Sequence, residues 1–114
     1  MAVRIIRSPL PKSELAAIAE RQFGDLVKAV VDVGRGVLAV GGELHADMEA
    51  ALLEDGSAQE DLWGINLYPG KSGGEWVEFD SIINLRPLGG NPTRGVEDPS
   101  IRQQIQGIVA KLIT

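Results

Sequence analysis

The sequence predicts an α+β domain: a mostly antiparallel sheet of about five strands with three helices, in two layers and in the order β-α-β-β-α-β-β-α. Three observations lead there. Two segments, 12–23 and 99–113, repeat apolar residues at helical spacing. Two β-branched runs flank the turn pair Gly34–Arg35. Four of the five aromatic residues (Trp63, Tyr68, Trp76 and Phe79) fall in a second pair of strand-like runs around the turn 69–74.

In order, residues 2–7 alternate around Arg4 and read as a short strand, which Ser8-Pro9-Leu10-Pro11 ends. Pro11 suits a first helical turn, where its missing N–H costs nothing. Leu15, Ile18, Ala19 and Phe23 then make a helical stripe that Gly24 closes. Residues 25–33 and 36–41 form the first hairpin. The stretch 42–56 fits two periods. Leu44, Met48, Ala51 and Leu52 suit a helix, whereas Leu44, Ala46, Met48, Ala50 and Leu52 alternate as in a strand. Three alanines and the lack of any β-branched residue favour the helix. Residues 61–68 and 75–86 read as the two strands of the second hairpin. A loop covers 87–97, Asp98–Pro99 is an N-cap and first-turn pair, and Ile101, Ile105, Ile108, Val109 and Leu112 form the last stripe.

Length and composition bound the function. The 114 residues fit a single domain, 1–114, with 44% hydrophobic and 24% charged residues. Eleven Lys and Arg against sixteen Asp and Glu give a net charge of −5, which argues against a sequence-independent grip on nucleic acid or on an anionic membrane surface. With no cysteine, disulfides, zinc fingers and thiolate catalysis are excluded. No apolar run approaches the ~20 residues of a membrane span, and the N-terminal segment lacks a secretory pattern, so a cytoplasmic location is expected.

Three strings, GGELHADMEAALLEDGSAQEDLWGINLYP (41–69), SIINLRPLGGN (81–91) and DPSIRQQIQGIV (98–109), with VKAVVDV (27–33) before them, resemble a family of small conserved bacterial proteins known only as a domain of unknown function. The resemblance covers nearly the whole chain and departs from the family pattern at Leu88–Gly89. It implies a bacterial, cytosolic, single-domain protein and carries no activity, cofactor or catalytic residue with it.

Two constellations could carry chemistry. Between Gly36 and Gly70 there are seven acids and no Lys or Arg, and the chain's one histidine, His45, lies in that zone. His45, Asp47, Glu49 and Asp61 are the candidate ligands for a divalent metal. On a helix His45 and Glu49 share a face and Asp47 points away; on a strand all three point together. The same acids also suit a helix N-terminus with no ligand at all. The second set is Asn66, Asn84, Arg86, Asn91 and Arg94, placed by the expected last strand and its loop to bind a carboxylate or phosphate through the guanidinium fork. The two become one feature if the acidic segment and Arg86 face each other across a cleft.

Gly56-Ser57 reads as an ordinary helix end, and no P-loop, dinucleotide fingerprint or nucleophile motif is present. The expected function is a non-catalytic binding or interaction module, acting as a homo-oligomer or with a protein partner through the wide terminal stripe and needing no cofactor. The alternative is a small metal-dependent phosphoester hydrolase built on His45, Asp47 and Glu49. A regulator that touches RNA would need Arg86, Arg94, Arg102 and Lys111 to form one patch.

Overall fold

In a computed structural model that describes residues 2–114, the chain runs β1 (Arg4–Ile6), α1 (Lys12–Arg21), β2 (Val27–Asp32), β3 (Val37–Val40), α2 (His45–Glu54), β4 (Leu62–Leu67), β5 (Val77–Glu78) and α3 (Pro99–Leu112). Short 3-10 turns occupy Gln59–Asp61, Gly73–Glu75, Ile82–Asn84 and Pro87–Gly89. The five strands form one sheet in the order β1-β3-β2-β4-β5, and every neighbouring pair is antiparallel. The expected fold class, with five strands and three helices, is what the chain adopts.

The layering has one addition to the expected two. Val27, Ala29 and Val31 of β2 point to one face, where Leu15 and Ile18 of α1 and Ile105 and Val109 of α3 close the larger core. Val30 points to the other face and meets Ala39, Leu62 and the Met48 and Leu52 side chains of α2. Helices therefore cover both faces. The cause is visible in β2 and β3, whose apolar residues run nearly unbroken (AVV, VLAV) instead of alternating, as strands buried on both faces do. Each such buried aliphatic side chain contributes about 1.5–3 kcal/mol.

The first hairpin is pinned at its tip. The fully buried Asp32 carboxylate accepts the Gly34 and Arg35 backbone N–H groups, both at 2.9 Å, and the Ser57 hydroxyl at 2.6 Å. That last bond ties the hairpin to the segment following α2. Residues 45–54 settle as helix, with His45 and Met48 buried one turn apart on its inner face. The terminal stripe of α3 is spent inside the domain: Ile105, Val109 and Leu112 belong to the larger core, with Ile101 and Ile108 packed against it. Asp98 caps α3 through Ser100 N–H at 2.8 Å. Beyond the helix, Leu10 N–H donates to the Leu112 carbonyl and Thr114 N–H to the Leu10 carbonyl, forming a parallel bridge.

The second hairpin departs from expectation. Strand pairing covers only Asn66↔Glu78 and Leu67↔Val77, and the expected strand over 75–86 stops at Glu78. From there Ser81 accepts the Ile83 N–H on its hydroxyl and turns the chain into the 3-10 turn Ile82–Asn84. The two-sided alternation expected for 76–86 is therefore replaced by a turn with period near three.

Candidate functional site

Where β5 ends, the edge of β4 would be bare, and side chains of the following segment cover it. The buried Asn84 amide takes the place of a strand: Gly64 N–H donates to its Oδ1 at 2.8 Å, and its Nδ2 donates to the Gly64 carbonyl at 2.9 Å and to the Arg94 carbonyl at 2.9 Å. This close seating requires a glycine on β4, because a Cβ at residue 64 would lie 2.5 Å from the Ser81 Cβ. Asn91 repeats the device one layer out. Its Nδ2 donates to the carbonyls of Asn84, at 2.7 Å, and Gly95, at 2.8 Å, while its Oδ1 accepts Glu97 N–H at 2.9 Å.

Arg86 completes the covering. Its guanidinium lies 4.3 Å from the centre of the Trp63 ring, donates through Nη1 to the Glu60 carbonyl at 3.2 Å, and donates through Nη2 to the Leu62 carbonyl. Half-burial lowers its pKa below the ordinary value, while the Glu49 and Glu60 carboxylates pull it back up. The group stays charged.

Glu49 on α2, Gln59 and Glu60 on the 3-10 turn before β4, and Ile82, Ile83, Leu85 and Arg86 line one groove of about 480 Å³. Glu49 and Glu60 of the acidic segment thus line the same cleft as Arg86. Ile82, 65% exposed, and Leu85, 42% exposed, supply its apolar lip. Among the described residues the ion pairs are Arg4–Glu14, Arg7–Asp55, Arg35–Asp55 and Arg94–Asp80, so the groove holds charges of both signs that are not paired within 4.0 Å.

The structure separates the other expected residues. His45 opens α2 on its buried side, 8% exposed, and its Nε2 donates to the Ile65 carbonyl at 2.8 Å. That bond fixes the neutral tautomer with the lone pair on Nδ1. Burial holds the imidazole below its ordinary pKa, and Lys28 and Arg94 push the same way against the Ile65 carbonyl and Asp80. Asp47 is exposed in the first turn of α2, Glu49 faces the groove, and Asp61 ends the turn before β4, next to Gly34. Among the described residues no three His, Cys, Asp or Glu side chains come together as a metal-binding group.

Of the anion-binding candidates, only Arg86 reaches the groove. Asn84 and Asn91 are consumed in backbone pairing. Asn66 Nδ2 donates to Glu78 at 2.8 Å, and Arg94 donates to Asp80 at 2.7 Å. Arg102, a member of the cationic patch considered for RNA, donates to the Val96 and Glu97 carbonyls. Gln59, Ile82 and Leu85 escaped the sequence reading. Their signal was the spacing of Ile82 and Leu85, three apart after a capping serine, which puts both on one side of a 3-10 turn.

No helix among the described residues is long and apolar enough to cross a membrane. A protein-family model, described as a protein of unknown function, matches residues 4–112. No curated protein and no solved structure matches the chain.

Proposed function

The chain belongs to that family, DUF5674, and we propose from the geometry of its site that it is a non-catalytic binding module whose recognition surface is the groove between α2 and the segment 82–86. One observation carries the reading. The groove combines an unpaired, backbone-anchored arginine, two unpaired carboxylates and two exposed aliphatic side chains in a volume typical of small-ligand sites, ~300–1,000 Å³. Such a surface recognises shape and charge. Among the described residues, no Ser, Thr, Cys or His side chain lines it.

The test is a screen of small charged and apolar compounds by thermal shift, with hits mapped on backbone amide resonances. A ligand that binds the folded state raises the melting temperature by mass action. Hits should move the signals of Glu49, Gln59 and residues 82–86, and Ile82→Asp, on an exposed side chain, should abolish the response while keeping the fold. Hits that map elsewhere, or chemical turnover of a hit, would overturn the reading.

A second reading rests on Ile82, Leu85 and the fully exposed Leu88, which crowd one short segment with apolar surface. This ridge would meet another protein chain, the same or different. Light scattering that returns a strict monomer at high concentration removes the self-association form.

A further inference from the structure

Resting on the groove being the binding site, we infer that its ligand is a small zwitterion with an aliphatic body, the chemistry of a free α-amino acid such as leucine. The charges decide the class. Glu49, Glu60 and Arg86 line the same space, and none of the three is in an ion pair among the described residues. A simple anion drawn to Arg86 would meet two carboxylates. A simple cation drawn to the carboxylates would meet the guanidinium. A molecule carrying both an ammonium and a carboxylate satisfies both sides, and its net charge of zero adds no repulsion.

The arginine is prepared for one end of such a ligand. The Glu60 and Leu62 carbonyls and the Trp63 ring fix the guanidinium plane, so ordering it costs the ligand little. Those two bonds use two of the five N–H groups, which leaves three to meet a carboxylate. Ile82 and Leu85 give the aliphatic body a surface to cover. An internal stretch of polypeptide lacks the paired terminal charges and fits less well.

The full chain is titrated with L-leucine and, separately, with leucine amide, 4-methylpentanoate and glycine, with amide resonances as the readout. These lack, in turn, the carboxylate, the ammonium and the aliphatic body. Leucine should saturate the signals of Glu49 and residues 82–86, and each of the three should bind at least ~10-fold more weakly. Glu49→Gln, on a half-exposed side chain with no hydrogen bond to lose, should weaken leucine several-fold while lowering the melting temperature only slightly, through the lost attraction to Arg86. If leucine amide or 4-methylpentanoate binds as well as leucine, or leucine fails while another compound still fills the groove, the zwitterion inference falls and the binding-site reading stands. If none of the four moves the groove resonances, the zwitterion inference falls, and the binding-site reading falls with it only if the wider compound screen also leaves them unmoved.

Discussion

Asn84 stands on Gly64 as a neighbouring strand would, exchanging both a donated and an accepted hydrogen bond with that one residue at 2.8 and 2.9 Å. A side-chain amide has the same donor–acceptor pair as a peptide group. It can therefore extend a ladder where the backbone has turned away. The segment that turns away is the one that forms the lip of the groove, so the groove exists because this substitution of amide for strand succeeds.

Asn84→Ala should destabilise the protein by about 2–4 kcal/mol, since it strands the buried N–H and C=O of Gly64, whereas the Arg94 carbonyl keeps the Ser81 N–H at 2.9 Å. Urea unfolding measures it. A loss below about 1 kcal/mol would mean that water satisfies these groups.

Gly64→Ala should cost about 2–3 kcal/mol, because the new methyl meets the Ser81 Cβ at 2.5 Å and the Ser81 hydroxyl at 2.6 Å. Ser81→Gly in the same chain should return part of that loss despite giving up its own cap. Strict additivity of the two changes in a double-mutant cycle would show that the clash lies elsewhere.

The buried, neutral His45 makes stability pH-dependent. Its folded pKa lies below 6.5, so on acidification the unfolded chain takes the proton first. Its contribution is intact above pH 6.5, is lost as the pH falls from there to the folded pKa, and changes no further below that. The urea midpoint of the wild-type chain should therefore drop more between about pH 7.5 and pH 5.5 than that of His45→Gln. Parallel profiles would count against a neutral buried imidazole.

Asp32→Ala should cost about 2–4 kcal/mol by orphaning the Gly34 and Arg35 N–H groups and the Ser57 hydroxyl. Asp55→Asn, which removes the exposed pairs with Arg7 and Arg35, should cost far less, and high salt should erase most of the difference. The ranking is read from denaturant midpoints, and a reversed order would show that the Arg7–Asp55–Arg35 cluster holds the hairpin tip.

Much of the fold is local and therefore legible in the residues. The apolar spacing in 12–23 and 99–113 becomes α1 and α3 within two residues at each end, and Gly34–Arg35 becomes the hairpin tip. Alanine content decided 42–56 correctly in favour of helix. What sequence periodicity missed was set by partners distant along the chain. Val77, Phe79, Ser81, Ile83 and Leu85 alternate well enough for a strand, but Ser81 caps a turn and Gly64 accepts the Asn84 side chain 20 residues away. The meeting of the acidic segment with Arg86 was expected from charge alone. The company of Ile82 and Leu85 was not, because on a continuous strand they would have pointed to opposite faces.

The larger core is assembled from α1 near the start of the chain and Ile105, Val109, Leu112 and Ile113 near residue 113, with Leu10 and Leu112 stitched by a backbone bond. On the ribosome, the amphipathic α1 starts 87 residues before α3 (Lys12 against Pro99), the helix with which it shares the larger core. Until α3 is made, α1 alone shields that face of the nascent sheet, and the greasy side chains that Ile105 and Val109 will cover stay open to water.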